Sequence, residues 1–244
     1  MLCEQTIISF QTNTFVREPA TKLRGYISKH YRDIPQFHHH AGTKLDYRHP
    51  LIQYKIIDGI PFIIGLREGS ILLQLIDTNS EFKFGTNTYQ VLKMRRETVP
   101  IELNLSLRSP TYSFLTPWLA LNQKNYEKYQ MMATWAKRKK LLEGILVGNI
   151  ISMSKSLGYT VPGPIEAKIE RMREVRTSLK GTAMIGFLGT FSVNFEIPDY
   201  WGIGKSVSRG FGTVVRQGTD GRGKKEDKDP IELPHINIKT DNVW

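Results

Sequence analysis

The stretch Leu51-Ile52-Gln53-Tyr54-Lys55-Ile56-Ile57-Asp58-Gly59-Ile60-Pro61-Phe62-Ile63-Ile64 decides the fold. Two apolar, β-branched runs flank an Asp-Gly pair, the strongest short-range signal for a two-residue β-hairpin. Upstream, Gln5–Phe10 reads as a short strand. Pro19 opens a helix over Ala20–Tyr31, with Leu23, Tyr26 and Ile27 on one face. Downstream, Arg67–Ile76 carries Ile71, Leu72, Leu75 and Ile76 at helical spacing. Phe82–Met94 then returns as strand, with a turn at Gly85-Thr86-Asn87. The order βαββαβ is ferredoxin-like, the topology that also underlies RNA-recognition modules.

The second half repeats the mixture. Leu103–Leu121 is a connector with short strands, broken by Pro110 and Pro117. Asn122 caps a helix running to Lys140, and a second runs from about Leu141 to Leu157, with Leu142, Ile145, Leu146, Asn149, Ile150 and Met153 on one face. Beyond Pro162-Gly163-Pro164, the runs Ile165–Ser178 and Thr182–Ile197 form a hairpin across Lys180-Gly181. The fold class expected is α+β: tandem ferredoxin-like (RRM-like) domains, the first over 1–120 and the second over 121–217, the latter ending in a glycine-rich loop. Residues 218–244 form a tail whose first part is rich in charge, Gly and Pro and reads as mobile.

Charge narrows the partners. The chain has 244 residues and a net charge of +11. Residues 218–244 carry five Lys/Arg and six Asp/Glu, a net of −1, so residues 1–217 carry 29 against 17, or +12. The positive charge belongs to the folded part and favours a polyanion. A single cysteine, Cys3, excludes an intramolecular disulfide and a cysteine-based zinc site. The apolar stretch Leu141–Met153 is too short and too interrupted to span a bilayer, and Met1–Phe10 does not read as a signal peptide. A cytoplasmic protein without membrane contact is expected.

Two segments carry chemistry. The first is Gly202-Ile203-Gly204-Lys205-Ser206-Val207-Ser208-Arg209-Gly210-Phe211-Gly212, closing into a strand over Phe211–Val215. Glycines allow close backbone approach, and clustered N–H groups with Lys and Arg suit a phosphate. Spacing excludes the nucleotide-triphosphate loop, which needs Gly where Asp199 stands. It also excludes the dinucleotide fingerprint, which needs Gly where Val207 stands. The second segment is Gln36-Phe37-His38-His39-His40-Ala41-Gly42, with Lys44, Tyr47, Arg48 and His49 close behind. In extended backbone His38 and His40 share a side and His39 faces away. Paired imidazoles suit metal-free RNA cleavage, one taking the ribose 2′-OH proton and the other protonating the leaving 5′-oxygen. A transition-metal site and a purely structural polar loop remain alternatives. Adjacent histidines are poorly spaced for one tetrahedral ion, and only Asp46 is near.

Together these segments resemble CRISPR repeat-processing endoribonucleases, the Cas6 family of the RAMP superfamily. The glycine-rich loop is similar to that family's C-terminal signature, and the N-terminal half has its strand order. The stretch Leu23-Arg24-Gly25-Tyr26-Ile27 through His38-His39-His40 to Pro50-Leu51-Ile52-Gln53-Tyr54-Lys55 resembles the subtype I-B branch. The resemblance implies metal-independent cutting of precursor RNA within each repeat, without a cofactor. It assigns catalysis to His38 and His40 with Tyr47 as helper, and RNA binding to Gly202, Gly204, Lys205, Ser206, Ser208, Arg209 and Gly210, with Gly212 shaping the loop. The partner implied is CRISPR repeat RNA, as precursor and product. Association with other effector-complex subunits, and a homodimer, stay open. The leading alternative is a non-cleaving RNA-binding subunit of such a complex. Blander readings attach to Lys137-Arg138-Lys139-Lys140 as a basic helix C-terminus, to Tyr126, Tyr129, Met132 and Trp135 as a core stripe, and to Lys168, Arg171, Arg173 and Arg176 as a solvated strand edge.

Overall fold

A computed structural model describes residues 1–37, 48–77 and 80–218. His38, His39, His40 and Tyr47, and the tail beyond residue 218, lie outside the described residues.

The Asp58-Gly59 pair forms the hairpin. Both residues take positive φ, +50° and +77°, as a two-residue type I′ turn requires. They join β2 (Ile52–Ile57) to β3 (Ile60–Leu66). Ahead of it run β1 (Leu2–Thr12) and helix α1 (Ala20–His30). Behind it come the short helix α2 (Glu68–Leu72), β4 (Glu81–Phe84) and the long β5 (Asn87–Glu102). The antiparallel sheet has the order β2-β3-β1-β5-β4. With the β4–β5 hairpin counted as one terminal strand, this is the ferredoxin-like order. Period-two alternation sends Ile8, Phe10, Tyr54 and Ile63 toward α1, where they bury with Leu23 and Ile27.

The second unit is built from β6 (Thr111–Phe114), α3 (Gln123–Met131), α4 (Trp135–Ser156), β7 (Ala167–Leu179), β8 (Thr182–Val193) and β9 (Val214–Arg216). Its antiparallel sheet has the order β7-β8-β6-β9, the same topology again. The glycine-rich loop between β8 and β9 occupies the chain position that α2 takes in the first unit. It holds one 3-10 turn, Val207–Arg209. Its core gathers Trp118, Phe187, Phe191 and Trp201 and takes in Ile64 and Leu66 from the other face of the first sheet. Strands β2 and β3 are therefore covered on both faces, one by the helix side of their own unit and one by the second unit, while most of β5 stays exposed.

Several boundaries differ from expectation. The border expected at residue 120 would leave β6 in the first unit, whereas β6 pairs with β8 and β9. Asn122 does cap α3, its side chain accepting from the Asn125 N–H at 2.8 Å. That helix stops at Met131, where Met132 turns extended, and α4 runs unbroken through 140 and 141. The basic run 137–140 consequently sits in the first turns of α4 instead of at a helix C-terminus, against the helix dipole. Arg138 is held by the Met132 carbonyl and Glu174, and Lys139 lies 3.8 Å from Glu143. Of the expected aromatic stripe, Tyr129 is buried and donates to Glu174, while Tyr126 and Trp135 are exposed. The closing strand starts at Val214, three residues later than expected, because Gly212 turns through φ +64°.

Candidate functional site

The loop is clamped before it is shaped. The indole N–H of buried Trp201 donates to Gln5 of β1, and the Gly202 N–H donates to Gln53 Oε1 of β2 at 3.0 Å. These buried glutamines are the polar groups that an apolar sheet face keeps where another backbone must dock on it. Two glycines then fix the curve. Gly204 has φ +89°, and a Cβ there would stand 2.6 Å from Trp118 Nε1. Gly210 has φ +91°, and a Cβ there would stand 2.7 Å from the Ala20 side chain on α1. These glycines press the loop onto the protein and leave the cationic side chains on the other side. Ser206 carries a further left-handed turn at φ +62°.

What the loop presents is a cavity of about 560 Å³. From the loop, Gly204, Lys205, Ser206, Ser208 and Arg209 line it. Arg24 of α1, Arg48 and His49 from the segment before β2, Asn149 of α4 and Lys180 from the β7–β8 turn complete the wall. Gly202 and Gly210 are buried and do not line it. The described lining therefore holds five cations, Arg24, Arg48, Lys180, Lys205 and Arg209, and no carboxylate. Burial, and then the Arg209 guanidinium facing it, push the Arg24 pKa below its ordinary value. Like charges held this close are stabilised by an anion placed among them. Guanidinium groups and hydroxyls together suit phosphate oxygens.

His49 is tied to the same loop. Gln53 Oε1 is taken by the Gly202 N–H, so its NH₂ faces His49 Nε2 at 3.0 Å and donates to it. The neutral ring then carries its proton on Nδ1. His38, His40 and Tyr47 lie outside the described residues, but their flanks are within them. Phe37 is buried, and its carbonyl accepts from Ser28 at 2.9 Å and Tyr54 at 3.2 Å. Arg48, next after Tyr47, lines the cavity. Among the described residues no group of three or more His, Cys, Asp and Glu side chains is placed to hold a metal ion.

Sequence reasoning picked the cationic face of the loop, noted Arg48 and His49 beside the histidine segment without giving them a role, and did not pick Arg24, Asn149 or Lys180. The signal available was weak. Lys180 marks a hairpin tip and Arg24 interrupts an apolar helix face, and only folding brings both to residue 205. The exposed cations Lys168, Arg171, Arg173 and Arg176 lie on β7, an edge strand of the second sheet, and are absent from the cavity wall. No described helix is long and apolar enough to cross a membrane.

Fold and site together define a class of proteins with tandem ferredoxin-like units and a cation-lined glycine-rich loop. Residues 1–99 match the Cas6b N-terminal domain and residues 105–217 the Cas6b C-terminal domain. The chain belongs to the Cas6b family. A crystal structure of Cas6b is 39% identical and superposes with a TM-score of 0.83, covering 89% of this chain and 100% of that one. A second, described as the CRISPR RNA processing endoribonuclease Cas6b, is 36% identical with a TM-score of 0.71 and the same coverage. An uncharacterized protein of Methanocaldococcus jannaschii is 41% identical over 148 residues, 61% of this chain and 97% of the relative.

Proposed function

We propose that this protein cuts CRISPR precursor RNA within each repeat, without a metal, and holds the RNA by its phosphates on the glycine-rich loop. The observation that carries the reading is the convergence of five cations from four separate parts of the chain on one cavity whose described lining holds no carboxylate. That cavity begins one residue beyond Tyr47, where the histidine segment ends. Kinship with a protein described as a CRISPR RNA processing endoribonuclease supports it.

In this mechanism Lys205, Ser206, Ser208 and Arg209 hold backbone phosphates, and Arg24 and Arg48 balance charge on the phosphorane. One of His38 and His40 removes the ribose 2′-OH proton. The 2′-oxygen attacks the adjacent phosphorus, the bond from phosphorus to the 5′-oxygen breaks, and the other imidazole protonates that oxygen, with Tyr47 assisting. The products are a 2′,3′-cyclic phosphate and a 5′-hydroxyl. The nucleophile belongs to the RNA, so the protein supplies proton transfer and charge stabilisation.

The test is incubation with a CRISPR repeat RNA from its own genome in excess EDTA, with both product ends mapped. One cut leaving a cyclic phosphate is expected, lost in His38→Ala and His40→Ala with RNA binding retained. Tight binding without a cut would move the protein to the RNA-binding-subunit reading. Activity abolished by chelator and restored by metal would overturn the histidine mechanism.

A further inference from the structure

Lys55 is fully buried in β2, and its Nζ has no hydrogen-bond partner among the described residues. Strand alternation sends it to the same side as Gln53. A Cβ on Gly202 would stand 2.9 Å from that Nζ and 2.3 Å from Val207 Cγ1, and Val207 lines the cavity. The amine thus lies behind the cavity wall, against the root of the glycine-rich loop.

A buried lysine ordinarily has a carboxylate beside it. The groups around this one are of other kinds. Beyond the Val207 wall, the cavity carries Lys205 and Arg209 from the loop and Arg24 from α1. On its own strand Tyr54 faces the opposite side, and on β3 the neighbouring residues are Phe62 and Ile64. Before the loop, Asp199 accepts from the Arg216 N–H at 2.7 Å and Tyr200 stacks on Phe62 at 5.7 Å. His49 is engaged by Gln53, and Asp58 lies in the turn beyond the strand. None of the described carboxylates forms an ion pair with Lys55. With burial as its sole cause, the Lys55 pKa is pushed down to about 7.

We propose that Lys55 is a proton-linked positioning residue for the loop. Above neutral pH its amine is largely uncharged while the loop is empty, and it takes up a proton when an RNA phosphate settles on Lys205, Ser206, Ser208 and Arg209, so that binding and protonation are coupled. The inference rests on the phosphate-binding reading of the loop. The phosphate supplies a negative charge that none of the described carboxylates brings to Lys55, and the proton comes from solvent. RNA binding is then strongest below the free protein's pKa. It weakens as pH rises from there to the higher pKa of the complex, and levels off above it.

The experiment is calorimetric titration of CRISPR repeat RNA into the full chain at pH 8, in buffers of different ionisation enthalpy. The protein carries His38→Ala and His40→Ala so that the RNA stays whole, and is compared with the same protein carrying Lys55→Met. Proton uptake lower by up to about one per RNA in the Lys55→Met protein is expected, with about a tenfold flattening of the fall in affinity between pH 7 and pH 9. Lys55→Gln keeps a hydrogen-bonding group without a titrating proton and should lose the uptake equally; a purely structural role would leave it intact. Should Lys55→Met fail to fold, the pH titration of the Lys55 ¹³Cε signal, with and without RNA, reads the coupling in the unsubstituted residue. A midpoint unmoved by RNA overturns the inference. RNA binding with unchanged uptake also overturns it, alone. Absence of RNA binding in both proteins overturns the functional reading and this inference with it.

Discussion

Replacing Lys55 by Met should stabilise the free protein, by an amount that depends on pH. The side chain is fully buried and has no partner among the described residues, so solvent gives its charge no screening. Its pKa falls from an ordinary 10.5 to about 7. The unfolded chain therefore carries a proton that the folded chain lacks throughout that interval, and stability rises with pH across it by about 1.4 kcal/mol per unit. Below pH 7 both states are protonated, and the cost stands at its ceiling of about 5 kcal/mol. Above 10.5 both are neutral and the ionisation cost is gone. Met fills a similar volume with no group to desolvate. Urea unfolding of both proteins between pH 7 and pH 9.5 should show the variant more stable by roughly 3–5 kcal/mol at neutral pH, with the gap closing as pH rises. Other titrating groups cancel in the difference. A gap that stays constant with pH, or a more stable wild type at pH 7, would refute the claim of an uncharged, unpaired amine.

Gly210→Ala places a methyl group 2.7 Å from the Ala20 side chain at φ +91° and should cost about 2 kcal/mol or more. Gly144→Ala on α4 meets nothing within 4 Å and should raise stability by up to about 1 kcal/mol; thermal unfolding of the pair checks both signs. Gln53→Leu leaves the buried Gly202 N–H without its acceptor, which should cost about 1–3 kcal/mol and release the His49 tautomer, visible in imidazole ¹⁵N shifts. Lys205→Ala and Arg209→Ala should each lower the slope of log affinity for repeat RNA against log salt by about one; an unchanged slope would make the loop a structural element only.

Local chemistry was legible wherever it was self-sufficient. Asp58-Gly59 and Lys180-Gly181 specify type I′ turns from two residues each, and both hairpins form with those pairs at positive φ. The cationic face of the loop was legible because Lys205, Ser206, Ser208 and Arg209 are close in sequence. The helix break at Met132–Thr134 has neither Gly nor Pro to announce it, and the pause expected near 140 had only the charge run behind it. Arg24 and Lys180 were beyond reach, since their roles exist only where two units meet. Lys55 shows most clearly why. In a sheet with one face in water, a lysine between Tyr54 and Ile56 reads as a solvent-facing strand position. Here the second unit packs on that face and β2 is covered on both sides. The two polar residues on its inner face, Gln53 and Lys55, are then the ones that touch the glycine-rich loop. Polar side chains inside an otherwise apolar strand run thus mark the line along which the loop docks. At the root of that line a Cβ on Gly202 would meet Val207 Cγ1 at 2.3 Å and the Lys55 amine at 2.9 Å, so the loop lies against the strand's polar residues only because that position is glycine.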